Sequence, residues 1–393
     1  MALGAAFGNA LSDQSFLAEA IILDAYQRAY LVDLRDNIIA ASNSIDLTAF
    51  LETTKTENVS VPMPAGLSFN FDIKRSDQNA DVDMATIFSR FSEMRMDPND
   101  NVEALRFSAQ VGMQTRADLA LRVSPLVQHG AQVINAETNG LFFNNESASA
   151  PQLTLLDRGS SLSLTNNFYA NTSLVIGYHE SKGNIYSTAG RGSLGQARIF
   201  HEFDHGVSMG FGAGYLVEEG ALFRSTSSGA FGATKENQSH FVSISAAAPL
   251  GNGFQIFGSY TQLEAQPKFT RESFFSNWSR IHASAFTAGL AKKSVLSAGD
   301  RMGVTISQPL RVWHSKVDMT LPIGRSIDGE VIRDTQRVEL VPDGRQTDIQ
   351  WAYRKNLGGT AFVHSFAKLI LQPGHNKNAK RVAALGVKWD MAF

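Results

Sequence analysis

From Ser161 to the carboxyl terminus the chain alternates apolar and polar residues with a period of two. In the last stretch Ala383, Leu385, Val387, Trp389, Met391 and Phe393 share one face, and Lys388 and Asp390 lie on the other. A strand turns successive side chains to opposite sides, so an unbroken apolar face must meet something apolar along its length. With no later element to cover it, that strand favours a closed barrel in a bilayer. The same two-sided pattern recurs in Leu162–Leu164–Phe168, Leu174–Ile176–Tyr178, Met209–Phe211–Tyr215, Phe254–Ile256–Tyr260, Met302–Val304–Ile306 and Ile349–Trp351–Tyr353. Opposite these stand small, polar or charged residues, as a lumen requires.

Counting back from Phe393 predicts strands near 380–393, 359–371, 345–356, 298–308, 279–293, 252–264, 238–248, 206–218, 195–203, 171–180 and 161–169. Closure with both ends on one side asks for a twelfth strand, supplied either by Gln152–Asp157 or from the hairpin Leu105–Ser124. Short links near Asp204–Gly206, Leu250–Gly253 and Leu357–Gly359 alternate with long polar ones such as Ser181–Leu194, Glu219–Asn237, Gln266–Asn277 and Pro309–Gly344. Short turns on one rim and long loops on the other are the outer-membrane arrangement. Alternation inside Pro309–Gly344 predicts a hairpin projecting beyond the membrane.

Before about residue 126 the charges fall on too many positions for lipid contact. Hairpins are predicted over Ile21–Leu34 and Val59–Lys74, and a short amphipathic helix over Met84–Met96, all placed in water. Residues 1–126 therefore form a juxtamembrane stalk, 127–150 a connector or pore plug, and 151–393 the barrel, whose first strand lies alternatively in 103–126. The fold class is an all-β antiparallel transmembrane barrel of about twelve strands, with a hairpin-rich extramembrane region and a pore-threading connector.

Composition narrows the classes. Charged residues make up 18% of the chain, against about 25% in soluble proteins, and the net charge of −2 carries no basic footprint for nucleic acid. The absence of cysteine removes thiolate metal sites, thiol nucleophiles and disulfides, and suits passage through an oxidising compartment. No apolar run reaches a helical span, which leaves barrel strands unaffected. The start, Met1 to Gly8, lacks a charged and apolar secretory signal, so an exported chain is expected to be the carboxyl-terminal part of a longer precursor.

Three segments resemble a known family: Ala2-Leu-Gly-Ala-Ala-Phe-Gly-Asn-Ala-Leu11, Ile22-Leu-Asp-Ala-Tyr-Gln-Arg-Ala-Tyr-Leu-Val-Asp-Leu34 and Leu321-Pro-Ile-Gly-Arg-Ser-Ile-Asp-Gly329. They resemble the carboxyl-terminal region of autotransporter-type, subtilisin-like serine proteases of Gram-negative bacteria. The closing aromatic strand, with Leu385, Val387, Trp389, Met391 and Phe393, resembles the signal read by the outer-membrane assembly machinery. The resemblance implies a secreted passenger joined to a twelve-strand barrel, with the connector passing through the lumen. The catalytic Asp, His and Ser motifs of that family have no counterparts here, so proteolysis is not carried over and the chain is expected not to be an enzyme.

Two motifs suggest chemistry. His201-Glu-Phe-Asp-His205 matches H-E-x-x-H, which binds zinc only on a helix; in a strand the two histidines stand about 13 Å apart. Gly206-Val-Ser-Met-Gly210 matches G-x-S-x-G, which needs a strained strand-to-helix turn, whereas glycine alternation continues through Gly214. No catalytic, cofactor or metal residues are assigned. Arg198, Glu202, Arg301, Asp348, Arg354, Lys368, Lys388 and Asp390 are the expected lumen-facing charges, pairing with one another more readily than selecting ions. Trp278, Trp351, Trp389, Tyr178, Tyr215, Tyr260 and Phe393 are expected in interfacial girdles.

The first functional expectation is an outer-membrane translocator, with its amino-terminal region at the cell surface and extracellular folding as the driving bias, since no phosphate loop is present. Its partners are outer-membrane lipid, the barrel-assembly machinery and its own passenger segment; it is a monomer without cofactors. A barrel hydrolase around His179, His201, Glu202 and Ser208, or a porin-like channel, are the alternatives.

Overall fold

The computed structural model describes residues 1, 3–23, 26, 28–39, 55–62, 67–75, 102–111, 114–123, 141–142, 146–169, 171–181, 191–270, 273–358 and 361–390. A small hairpin comes first, β1 (Ala20–Leu23) with β2 (Ala29–Val32), as the pattern over Ile21–Leu34 predicts. Next in chain order are β3 (Lys55–Pro62), β4 (Leu67–Arg75), β5 (Val102–Val111), β6 (Thr115–Val123), β7 (Gly159–Tyr169), β8 (Thr172–Ser181), β9 (Arg191–Glu202) and β10 (Ser208–Glu219). Then follow β11 (Glu236–Gly251), β12 (Phe254–Gln266), β13 (Phe275–Ser276), β14 (Ile281–Lys293), β15 (Arg301–His314), β16 (Lys316–Arg325), β17 (Val331–Glu339), β18 (Thr347–Gly358), β19 (Ala361–Leu371) and β20 (Val382–Asp390).

One antiparallel sheet of 15 strands runs from β3 to β20, each strand paired to its neighbour in the chain except where β13 and the β16–β17 hairpin intervene. All eleven strands read back from the carboxyl terminus are in it. The twelve-strand count is corrected: β6 pairs with β7, and β5, β4 and β3 continue the same sheet. The hairpin expected in water over Val59–Lys74 thus hydrogen-bonds to the hairpin at Leu105–Ser124. Gln152–Asp157 is not a strand; Pro151 opens one helical turn, Pro151–Thr154, because proline suits a first helical position and donates nothing to a ladder. The helix expected over Met84–Met96 lies outside the described residues.

Short links, such as those of 170–171, 203–207 and 252–253, all fall on one rim, and the long ones on the other. Because 15 is odd, β3 and β20 both run from the long-loop rim to the short one, and no pairing joins them among the described residues. Pairing them would make a parallel seam in an otherwise antiparallel sheet.

The two faces differ in kind. Leu174, Ile199, Phe211, Ile244, Tyr260 and Phe286 are cross-strand neighbours in one row on the outer face. One residue along, Val175, Arg198, Gly212, Ser243, Thr261 and Ala285 form the matching inner row. Ile306 is 48% exposed and its neighbour Thr305 1%; Leu164 is 44% exposed and Ser163 4%. Exposed aliphatic and aromatic residues of this number are foreign to a water-soluble surface, where contiguous apolar patches rarely exceed a few hundred Å². Each removal of such a side chain from water is worth on the order of 1.5–3 kcal/mol.

The projecting hairpin predicted in Pro309–Gly344 is β16–β17, with Lys316 opposite Glu339 and Arg325 opposite Val331. Tyr178, Tyr215, Tyr260, Trp351 and Trp389 are exposed on the outer face as expected. Trp278 is the exception: it stacks on Phe269 at 5.1 Å and packs against Phe275 in the apolar core beneath the long loops.

Candidate functional site

The inner face is occupied by the chain itself. Leu141 and Phe142, then the single helical turns Glu146–Ser149 and Pro151–Thr154, lie in the connection between β6 and β7. Leu141 is buried with Ala247, Phe257, Ala291 and Ala352, inner-face residues of β11, β12, β14 and β18. The Phe142 and Phe257 rings are 5.7 Å apart. Gly303 makes the room, since a Cβ there would stand 2.5 Å from Phe142 Cζ. His364 Nε2 donates to the Leu141 carbonyl at 2.9 Å, and the first helical turn packs on β12, β14 and β15. The expected connector at 127–150 is described only at these positions, and they all lie on the polar side of the sheet.

The inner charges fall into three groups. Lys368 Nζ and Asp348 Oδ2 pair at 3.0 Å with both side chains almost wholly buried, and Gln346 Nε2 donates to Asp348 at 2.8 Å. Buried Arg198 lies across Gly212, its guanidinium 5.2 Å from the Phe200 ring centre. Toward the short rim, Arg301, Arg354 and Lys388 share the inner face, half-buried. Glu202 ends β9 on the inner parity and is exposed, away from these groups. Asp390 is the last residue of β20, its side chain outside the described part; Met391 and Phe393 are likewise outside. Of the terminal signal residues, Leu385, Val387 and Trp389 are all outward and 65–82% exposed.

Sequence reasoning missed a fourth group. Asp118 is buried on the inner face of β6, paired with Arg106 at 3.2 Å and Arg116 at 2.8 Å. The signal is the alternation of Arg116, Asp118 and Ala120 against Ala117 and Leu119, in a hairpin that the sequence offers only as an alternative first barrel strand.

The tempting motifs resolve into strand and turn. His201 accepts from or donates to Thr172 Oγ1 at 2.7 Å, while His205 sits in the turn Asp204–Gly206 with φ 69°. Among the described residues no cluster of His, Asp or Glu has metal-binding spacing. Ser208 begins β10 directly, without the elbow that a nucleophile needs. A serine–histidine pair does occur: Ser161 Oγ and His179 Nδ1 are 2.6 Å apart. His179 Nε2 donates to the Asp157 carbonyl at 2.9 Å, and both side chains are buried, so the pair fastens the inner connection to the wall.

The long-loop rim carries the amino terminus. Leu3, Phe7, Leu11 and Leu17 join one apolar core with Phe223, Leu310, Met319 and Leu340. Gly4 N donates to Ser225 Oγ at 2.8 Å, Gln14 Nε2 to the Glu339 carbonyl at 3.3 Å, and the Phe7 and Phe223 rings lie 6.1 Å apart. Gly8 packs directly on Gly374 and His375. These residues include the segment Leu3–Leu11 of the family resemblance, so its glycines have a packing reason here.

His375 lies in the link between β19 and β20, fully buried, with Nδ1 accepting from Gln346 N at 2.9 Å and Nε2 donating to the Leu310 carbonyl at 3.0 Å. Burial pushes its pKa down from 6.5 to about 4; the Leu310 bond opposes this, and Arg311 and Arg345 add to it. Asp343 also lies nearby, paired with Lys377 at 3.2 Å. A histidine kept neutral in the fold and protonated when released makes the unfolded state the better proton binder. The contribution of His375 to stability therefore falls as pH drops from about 6.5 to about 4 and is flat above. Thermal unfolding should show a smaller loss between pH 6.5 and 4 for His375→Gln than for the unmodified chain.

No family model matches this chain, and no curated protein matches it. Among solved structures it is similar to a loop-deletion mutant of OmpT, an outer membrane protein of Vibrio cholerae, at 9% identity, over 80% of this chain and 83% of that one, with a TM-score of 0.47. An anion-selective porin from Comamonas acidovorans is similar at 11% identity, over 79% and 76% of the two chains, with a TM-score of 0.46. Likeness of that degree transfers no property; the membrane reading rests on the two faces of this sheet.

Proposed function

We propose that this chain is the translocator part of an autotransporter: an outer-membrane β-barrel through which an amino-terminal passenger is exported. One observation carries the reading. A sheet with an apolar exposed face holds part of its own β6–β7 link, Leu141 and Phe142, against its polar face, while Ala150 and Leu153 of that link join residues 3–17 in the core at the long-loop rim. A lumen filled by its own chain, with the amino terminus on the long-loop side, suits an export channel that is closed after use.

In this reading lipid covers the outer belt, the assembly machinery recognises the strand bearing Leu385, Val387 and Trp389, and the barrel works as a monomer. The passenger is a subtilisin-like protease by the resemblance of the Ala2–Leu11, Ile22–Leu34 and Leu321–Gly329 segments. The chain itself performs no catalysis, and its amino-terminal region stands at the cell surface as the seed on which exported passenger folds.

Val123 pairs with Gly159, so the β6–β7 link can be shortened without parting the strands. Deleting residues 127–150 should convert a small or absent conductance in planar bilayers into a large steady one. A large conductance in the intact chain, unchanged by the deletion, would favour the channel reading. That reading has its own support: Gln196, Thr261, Thr287 and Thr305 are buried inner-face side chains with polar atoms that meet no protein partner, and such atoms suit a wet lumen. Fusing a reporter passenger before Met1 separates the two, since only a translocator delivers it to the cell surface.

A further inference from the structure

The outer face changes character at the long-loop rim of β18 to β20. Ile349, Trp351 and Tyr353 on β18, and Ala383, Leu385, Val387 and Trp389 on β20, are the outward rows that lipid covers. The same parity continues to the rim through Thr347 to Arg345, and directly from Ala383 to Arg381, and both arginines are exposed. β19 lies between them, with Thr347 opposite Leu371 and Val382 opposite Ile370. Arg381 stands eight residues from Trp389, about 26 Å along the strand, a length comparable with an apolar band about 25 Å tall. The arginines therefore come where acyl chains end and headgroups begin.

The fold gathers further bases around them. The β19–β20 link lies against the residues that precede β18: Gly344 N donates to the His375 carbonyl at 2.8 Å, Arg345 N to Gln372 Oε1 at 2.7 Å and Lys377 N to Asp343 Oδ1 at 3.2 Å. Lys377, Lys380 and Arg381 are thereby brought to the same corner as Arg345. Arg311 adjoins them from β15, its guanidinium donating to the Pro342 and Gly344 carbonyls at 2.8 Å. Two carboxylates are near, Asp343, paired with Lys377 at 3.2 Å, and Asp13, which feels the charges of both. Arg345, Lys380 and Arg381 are exposed and form no ion pair among the described residues. On the other side of the sheet the corresponding level is acidic, with Arg191 opposite Glu219 and Glu219 opposite Glu236.

A planar guanidinium matches the oxygens of a phosphate, and a lysine ammonium adds a movable point charge. An anion shared among such bases removes their mutual repulsion. A dissolved anion has only the bases to hold it. One fixed to acyl chains is also kept at this level by the apolar rows beneath, so the two contacts reinforce each other. We propose that Arg345, Lys380 and Arg381 bind the phosphate of a lipid headgroup in the leaflet on the long-loop side, with its acyl chains lying along the outward rows of β18 to β20. Arg311 and Lys377 add to the positive field at the site. The site needs the bilayer and not export, so it stands or falls apart from the translocator reading.

The test uses the full chain refolded into phosphatidylcholine bilayers, with a fluorophore on a single cysteine, Ala383→Cys beside the bases or Val217→Cys beside Glu219. Quenching by a small fraction of phosphatidic acid, carrying a nitroxide high on one acyl chain, is compared with quenching by phosphatidylcholine labelled in the same way. At Ala383→Cys phosphatidic acid should be enriched at least about fivefold over phosphatidylcholine, less so as salt rises. At Val217→Cys the two lipids should quench alike. Arg345→Gln with Lys380→Gln and Arg381→Gln should abolish the enrichment, Arg345→Lys with Arg381→Lys should keep most of it, and Arg280→Gln should leave it unchanged. Quenching by labelled phosphatidylcholine reports that each variant is inserted; should the triple variant fail to insert, Lys380→Gln with Arg381→Gln alone should lower the enrichment. Equal quenching by the two lipids at Ala383→Cys, or enrichment that survives the triple change, would overturn the proposal. Displacement by inorganic phosphate but not by chloride at the same ionic strength would assign the bases to a free anion, and displacement by an aspartate-rich peptide to acidic chain; either result overturns the lipid assignment.

Discussion

Replacing Gly8 with valine should release the amino-terminal segment from the long-loop rim while the sheet stays folded. Gly8 has φ 51°, a left-handed conformation that costs an L residue about 1–2 kcal/mol. Its missing Cβ is also the space filled by the Gly374 carbonyl, with Pro342 Cβ 3.0 Å and His375 Cβ 3.3 Å away. Backbone strain and overlap act together on a segment whose anchors are a few leucines and Phe7. Trypsin has sites at Arg28 and Arg35, so the expected readout is cleavage there at least about tenfold faster than in the unmodified chain. Gly220 is the control: its φ is 75° but nothing stands within 4 Å, so Gly220→Ala adds strain without overlap and should leave cleavage almost unchanged.

The second large effect belongs to the inner ion pair. Asp348→Ala leaves the Lys368 ammonium buried without its carboxylate, and removing one partner of a buried pair costs about 3–5 kcal/mol. Asp348→Leu combined with Lys368→Met removes both charges and should recover most of that loss, because neither ion is then desolvated alone. Urea unfolding in detergent micelles measures both. Equal destabilisation by the single and double changes would mean that shape, not charge, holds β18 to β19.

Much of this was legible in the chain because period-two alternation is a local property. The eleven strands expected from Ser161 onward are present, although β15 runs on to His314 and β9 begins at Arg191, and side-chain parity alone puts Arg198, Asp348 and Lys368 on the face where they are buried. What failed depended on partners distant in sequence. Nothing within Val59–Lys74 says that it pairs with Val102–Val111, because charges at Asp72 and Lys74 look the same on a stalk and on a sheet. Gln152–Asp157 alternates too weakly to tell strand from turn, and Pro151 decided it. Trp278 was assigned to lipid by residue type, whereas its ring finds Phe269 and Phe275 from the same long loop. The Asp118 cluster is missed because its arginines come from both β5 and β6, while the hairpin Leu105–Ser124 stands in the sequence reading only as one of two sources of a twelfth strand, with no inward face assigned to it.

Cysteine is absent from the sequence, which allows single spin labels to be placed without background. Labels at Ile199, Phe211, Ile244 and Ile306 on the outer face, and at Ser163, Ser243, Thr261 and Thr305 on the inner, report collision with oxygen dissolved in lipid and with a water-soluble nickel complex. In bilayers of the refolded chain the outer set should collide chiefly with oxygen, and the inner set should not. Equal accessibility of the two sets, or outer positions reached by the nickel complex as readily as by oxygen, would contradict a sheet whose apolar face meets acyl chains.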